Sequence, residues 1–352
     1  MIYLDDAATG YVNDDNTTWM NPNTKYAHVA NKTLQDAESR IMDLLGVSSG
    51  MIVFGGQNAS QLIDLLYWKC KNKGIYFCSS KYEHDCIYNK VQGYGYFSDY
   101  NQAIDCVNNI YNSGDSNIFC QMLTNNLTGE IFDNKPLGQY CSEHNQFFMV
   151  DCTAAISHVQ LPNDLEQWCD CIVMSGHKFG GGYMGCMWLS DRLCEELDIH
   201  SASNLASGTP NVKGIDDFVR AFELANKDID NKELHCNDML EELETGLRRY
   251  AIEYKHIFPT TGYDYTSHIN AIRLPGINAD ALQQYLASKQ IYIGLGHSAC
   301  DSNSDDFRVL QAYGLSKQEA SEVVRISFNQ WNNVEEIDEL VKQIKNFKEL
   351  FV

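Results

Sequence analysis

What most constrains this chain is a rhythm of short apolar runs, separated by amphipathic stretches of helical period. The runs are Met51–Phe54, Ile75–Cys78, Ile118–Leu123, Phe147–Val150 and Cys171–Met174. Ahead of the first run, Lys32–Leu45 carries Leu34, Ala37, Ile41 and Leu44 or Leu45 at helical spacing, and Asn101–Tyr111, between the second and third runs, repeats the pattern. Runs of this length without polar alternation suit strands buried on both faces. Their alternation with helices predicts an α/β domain with a mainly parallel sheet covered on both sides. Beyond about residue 230 the texture changes. Asp230–Tyr250 reads as a long charged helix, His268–Leu274 and Ile291–Ile293 as strands, and Val334–Phe347 as an amphipathic terminal helix. A smaller α+β domain is expected there, and 352 residues suffice for two domains.

Charge and cysteine usage exclude several functions. Lys and Arg number 26 against 47 Asp and Glu, a net charge of −21. Such a chain repels phosphate backbones and anionic lipids, so neither direct nucleic-acid binding nor a membrane-surface role is expected. No apolar run approaches the ~20 residues of a membrane span. Met1–Asp15 lacks the basic start and apolar stretch of a signal peptide, so a cytoplasmic protein with mostly reduced thiols is expected. The 13 cysteines sit singly; the nearest two, Cys169 and Cys171, do not form a CxxC pair, and no metal site is expected. Asn/Asp-rich patches at Asp14–Thr18, Asn108–Asn117 and Asp301–Asp306 read as loops.

Open α/β sheets bind ligands at the carboxyl ends of their strands, and polar groups recur after the apolar runs. Gly55-Gly56-Gln57-Asn58 follows the first and opens a helix; it suits either a phosphate cradle or a plain turn with an Asn cap. Asp151 follows Phe147–Val150, and a carboxylate there needs a partner: a protonated heterocyclic nitrogen, an arginine or a backbone N–H. Ser175-Gly176-His177-Lys178 follows Cys171–Met174. A partly desolvated lysine at a strand end can form a Schiff base, with Ser and His beside it to hold a phosphate; the plain alternative is a surface lysine. Gly180, Gly182 and Gly185 formally match GxGxxG but lead into the strand-like Cys186–Leu189, not a helix. His84 suits stacking and proton transfer, or a structural role. Cys300, in the small polar stretch Gly296–Ser304, reads as an exposed thiol, either reactive with His297 nearby or accidental.

The order of these elements resembles the cysteine desulfurases of the NifS/IscS type, within the class V aminotransferases. The resemblance runs from Tyr3-Leu4-Asp5-Asp6-Ala7-Ala8-Thr9 through Asn21-Pro22-Asn23, Glu83-His84, Asn125-Asn126 with Thr128-Gly129, Asp151 and Ser175–Lys178. It continues to Ser207-Gly208-Thr209, Ser298-Ala299-Cys300 and Val324-Arg325-Ile326-Ser327. It implies the fold type I of pyridoxal 5′-phosphate enzymes: a large α/β domain over 12–230 with a mixed, mainly parallel seven-stranded sheet. A small α+β domain, formed by 1–11 and 231–352, would carry the cysteine loop. It implies that Lys178 bonds the cofactor through its ε-amine and shuttles the substrate Cα proton. Asp151 would keep the pyridine nitrogen protonated, His84 would stack on the ring, and Asn126 would bond its phenolic oxygen and border the substrate. Ser175, His177, Gln57 and Asn58 would hold the phosphate, with Thr209 reaching the neighbouring subunit's phosphate in a homodimer. Arg325 would clamp the carboxylate of L-cysteine, and Cys300 would take its sulfur as a persulfide for an acceptor protein, leaving alanine. Iron–sulfur cluster assembly, tRNA thiolation and DNA phosphorothioation are all compatible destinations.

Several positions depart from the family pattern. The phosphate turn reads Gly56-Gln57-Asn58-Ala59-Ser60 where the family has a GATES-like run. Ala154 stands where a glutamine is usual, Leu127 where an acid is, Ala206 where an arginine is common, and His297 interrupts a glycine-serine pattern. These changes leave open a selenocysteine lyase or another amino-acid lyase of the same fold, and a catalytically degenerate homologue acting as a binding partner.

Overall fold

The computed structural model describes residues 21–25, 27–257, 264–296 and 307–351. Its strands in chain order are β1 Met51–Gly55, β2 Tyr76–Ser80, β3 Val91–Phe97, β4 Asn117–Met122, β5 Glu130–Ile131, β6 Phe147–Asp151 and β7 Cys171–Ser175. They continue with β8 Gly185–Leu189, β9 Lys255–His256, β10 Asp264–Tyr265, β11 Ile269–Arg273, β12 Gly294–Leu295 and β13 Val323–Ser327. The chain divides into two compact units. The first takes the chain through Ser79 with Asn89–Gln121 and Asn134–Lys227; the second takes Ser80–Tyr88, Met122–Asp133 and Asp228–Val352. This differs from the sequence-based division at 230/231 in two internal segments, 80–88 and 122–133, and in the boundary itself, which falls at 227/228. Side chains from late in the chain hold both: Arg308 bonds the carbonyls of Lys81 and Glu83, and Arg325 that of Asn126. Residues 1–11 lie outside the described residues.

The first unit is built on a seven-stranded sheet in the order β1-β8-β7-β6-β4-β2-β3. β6 pairs parallel with β7, and β2 with β4, while β8 runs against both its neighbours, β1 and β7. Every residue of β6, β7 and β8 is buried, as wholly apolar runs in an α/β sheet require. Helix Ala59–Asn72 covers β7 and β8, Lys135–Glu143 covers β6, and Tyr100–Ser113 covers β3. β3 escaped the sequence reading because Val-Gln-Gly-Tyr-Gly-Tyr-Phe contains two glycines; as an edge strand it tolerates them. Asn108–Ser113, expected in a loop, is helical. Val107 and Ile110 are buried on that helix, which runs on to a left-handed cap at Gly114.

The second unit holds an antiparallel sheet in the order β12-β13-β11-β9. Its core joins Leu243 and Leu247 of helix Ile229–Arg249, Leu282 and Leu286 of helix Ala279–Ser288, and Val341 and Ile344 of helix Val334–Phe351. The strand expected at Ile291–Ile293 is displaced to Gly294–Leu295. Ile291 N–H closes the preceding helix by donating to the Leu286 carbonyl, with Gln290 in the left-handed region, so these residues belong to a helix end.

Among the described residues no helix is long and apolar enough to cross a membrane, and no cluster of His, Cys, Asp and Glu is arranged to hold a metal ion. The twelve described cysteines are free thiols, ten of them buried.

Candidate active site

In the first unit, parallel pairing sets Asp151 of β6 opposite Val173 of β7, so the loops that follow leave one edge of the sheet side by side. β6 ends on Asp151, while β7 ends on Ser175 and enters a single 3₁₀ turn, Gly176–Lys178. Two buried aspartates flank these strands, and their surroundings differ. Asp170, just before β7, is saturated: Arg192 donates to both its oxygens (3.1 and 2.6 Å), Ser190 Oγ to one and Phe148 N–H to the other. Asp151 accepts only the N–H of Thr153 at 2.8 Å among the described residues, through Oδ1. Beside it Thr153 Oγ1 is buried with no hydrogen-bond partner among the described residues. A carboxylate this enclosed (6% exposed) with an unused oxygen fits a cationic N–H from a ligand.

Helix Ala59–Asn72 starts just after β1. Asn58 caps it, its side chain accepting Gln61 N–H at 3.2 Å, and Gln57 N–H donates to Gln61 Oε1 at 2.7 Å. Both residues expected in a phosphate cradle are thus partly engaged in building the turn. The N–H groups of Asn58 and Ser60 donate to no described residue, so the helix start retains free donors where its dipole favours an anion. Ser175 Oγ accepts Ala59 N–H at 3.3 Å and lies 3.0 Å from His177 Nδ1, which ties the turn after β7 to this helix start. Burial, and then the charge of Lys178, push the His177 pKa down. The neutral ring can accept the Ser175 hydroxyl at Nδ1 and keep Nε2–H as a donor. Gly185 of β8 permits this close approach, since a Cβ there would lie 2.5 Å from the Asn58 carbonyl. Lys178 is exposed on its turn, and Thr209 is exposed ahead of helix Val212–Ala225. Together these groups fit a ligand with a protonatable ring nitrogen and a phosphate.

In the second unit, the paired asparagines divide their work. Asn125 Oδ1 accepts the N–H groups of Leu127 (2.9 Å) and Thr128 (3.0 Å), making a tight turn. Gly129 completes it at φ +77°, with the Ile269 carbonyl 2.4 Å from where a Cβ would stand. The Asn126 side chain makes no hydrogen bond to a described residue, and its carbonyl accepts Arg325 Nη1 at 2.9 Å. That bond joins two candidate substrate-binding residues 199 positions apart. It is the only one of Arg325's five donor positions used by a described residue, and burial lowers the guanidinium's pKa. A desolvated cation without a counter-ion among the described residues is a site for an anion, and its planar fork suits a carboxylate.

Gly294 lies directly across from Arg325 in the sheet, and a Cβ there would come 2.9 Å from Nε and 3.1 Å from Nη2. The sequence reading missed this residue, because nothing local distinguishes it. Gly294→Ala should crowd the fork by about 1–3 kcal/mol and weaken binding of an amino-acid carboxylate roughly tenfold. Titration of the variant beside the parent checks this, with the thermal midpoint as a control for folding.

His84 lies in the segment after β2, half-buried, with Nδ1 accepting Cys86 N–H at 3.2 Å. Glu83, fully buried, accepts Met122 N–H at 2.5 Å. Glu130, raised in pKa chiefly by burial, accepts the Tyr313 hydroxyl beneath the Asn125 turn. Cys300 and His297, like the Tyr3–Thr9 segment, lie outside the described residues.

Comparison with known proteins finds relatives over nearly the whole chain. The profile of the family described as aminotransferase class-V matches residues 4–340. The chain is 26% identical to the cysteine desulfurase IscS of Buchnera aphidicola subsp. Schizaphis graminum, over 91% of this chain and 82% of that protein. It is 25% identical to the cysteine desulfurase IscS of Methanosarcina thermophila, over 99% and 94%. Among solved structures, a NifS-like protein from Rickettsia africae superposes with a TM-score of 0.76 at 19% identity, covering 94% of this chain and 92% of that one.

Proposed function

The chain belongs to the class-V aminotransferase family, as a NifS/IscS-like member, and on that premise we propose that it is a pyridoxal 5′-phosphate-dependent cysteine desulfurase. It would remove sulfur from L-cysteine, release L-alanine, and carry the sulfur as a persulfide on Cys300 for an acceptor protein. Its relatives that are named cysteine desulfurase support the substrate. The observation that carries the reading is the pairing of β6 with β7, which sets a carboxylate with an unused oxygen beside the turn that bears Lys178.

The cofactor, when bound, supplies an electron-accepting ring that weakens the bonds at the substrate's Cα. The protein's residues do the rest. Asp151 holds the proton on the ring nitrogen. The helix start at Asn58–Ser60, with Ser175 and His177, holds the phosphate, and Thr209 serves that of a second subunit in a homodimer. Lys178 anchors the cofactor through its ε-amine and moves the proton at the substrate Cα. His84 would serve the ring as its stacking partner; with Nδ1 accepting Cys86 N–H, its Nε2 would be the atom that handles protons. Arg325 binds the substrate α-carboxylate, with Asn126 beside it. The Cys300 thiolate attacks the substrate sulfur: an S–S bond forms, the C–S bond breaks, and its electron pair passes to the carbon skeleton, which is then protonated and leaves as alanine. We place this activity in the cytoplasm.

Incubation with pyridoxal phosphate, L-cysteine and a reducing thiol should yield alanine and sulfide in equal amounts. Cys300→Ser should bind the cofactor as the parent does, yet lose roughly a hundredfold or more of turnover and all persulfide labelling. Sulfide release by Cys300→Ser at the parent rate would overturn the role of Cys300.

A further inference from the structure

One cation of the second unit belongs to no step above. Arg308 opens the short helix Arg308–Ala312, eight positions after Cys300 in sequence. Its guanidinium is largely enclosed (15% exposed) and grips the segment around His84 from several directions. Nη1 donates to the Lys81 carbonyl at 2.6 Å, and Nη2 to the Glu83 carbonyl at 2.6 Å and to Asp85 Oδ1 at 2.9 Å. The guanidinium carbon also lies 3.7 Å from the centre of the Tyr88 ring, a cation–π stack. Lys81, Glu83, Asp85 and Tyr88 bracket His84 on both sides.

The backbone that follows is a short turn. Asp85–Tyr88 is a single helical turn of four residues, too short to be stable on its own. The His84 carbonyl accepts Ile87 N–H (2.9 Å) and Tyr88 N–H (3.0 Å), while its ring accepts Cys86 N–H, so the imidazole direction is set by this turn. We propose that Arg308 is the positioning residue for His84. By fixing two carbonyls before the turn, one carboxylate within it and one ring at its end, it holds Nδ1 as the acceptor and Nε2 as the proton-bearing nitrogen. A lysine cannot replace it, because one ammonium group cannot reach two carbonyls and a carboxylate while lying flat on a ring. The consequence for turnover rests on the proposed desulfurase reading; the consequence for His84 itself does not.

The test uses the full-length protein and two readouts. Nitrogen NMR of imidazole-labelled protein, without cofactor or substrate, reports the His84 tautomer, with the His84 signals assigned by their loss in His84→Gln. The parent should show His84 with Nδ1 unprotonated and Nε2 protonated. Arg308→Lys, which keeps the charge, should lose this signature and show a mixture of tautomers. With pyridoxal phosphate and L-cysteine, the same variant should lose about tenfold or more in kcat with KM within threefold of the parent, as misplacement of a reacting group does. Arg308→Gln should show both effects more strongly; were it to unfold, Arg308→Lys decides by the same readouts. A parent-like His84 signature in Arg308→Lys would overturn the inference even if the desulfurase activity is found. Conversely, absence of desulfurase activity in the parent would leave the NMR comparison able to support or refute it.

Discussion

Lys178→Ala is expected to leave a folded protein that turns over L-cysteine roughly a thousandfold or more slowly than the parent. The magnitude follows from the two tasks assigned to the ε-amine, covalent anchoring and proton transfer at Cα; proton transfer by a positioned side chain alone contributes about 10²–10⁴-fold. The fold should not suffer, because Lys178 is exposed and exposed substitutions usually change stability by less than about 0.5 kcal/mol. Lys178→Arg should behave like the alanine variant, since a guanidinium does not form the bond to an aldehyde. Steady-state alanine production, with the thermal midpoint as a control, checks the expectation. Turnover of Lys178→Ala within tenfold of the parent would contradict the role.

Arg325→Leu separates function from stability in the opposite direction to most buried substitutions. Losing the charged fork should reduce kcat/KM by about 2–5 kcal/mol, or roughly thirty-fold to several-thousand-fold, mostly through KM. The substrate-free fold should hold or gain stability, because a desolvated guanidinium with one described hydrogen bond gives way to an apolar side chain. The cost is one unmet carbonyl, that of Asn126, about 1 kcal/mol. Thermal unfolding without substrate, beside kinetics with it, measures both. A variant with parent-like KM would exclude Arg325 from carboxylate binding, and a large loss of stability would show that the cation is structural.

How much of this was legible beforehand depended on whether a residue's role is local. β6 and β7 are fully buried, so they appear in the sequence as apolar runs, and the polar residues at their ends, Asp151 and Ser175–Lys178, could be read directly. β3 could not be read, because an edge strand keeps glycines that a central strand would reject. Nor could the sequence tell Asp151 from Asp170. Both stand at the margin of an apolar run; Arg192 reaches Asp170, whereas Asp151 keeps an oxygen that no described residue uses. Gln57 and Asn58 were legible as a helix start, but their hydrogen bonds to Gln61 put part of the expected cradle into the turn itself. Arg308 and Gly294 carried no signal at all. Arg308 meets its hydrogen-bond partners 223 to 227 positions away, and Gly294 matters only because strand pairing sets it against Arg325.

The most direct measurement is where vitamin B6 becomes attached. Protein incubated with pyridoxal 5′-phosphate, reduced with borohydride and digested should give one dominant peptide carrying the phosphopyridoxyl mass, with the modification on Lys178. Absence of that peptide with cofactor in excess, or a label spread evenly over surface lysines, would contradict the account.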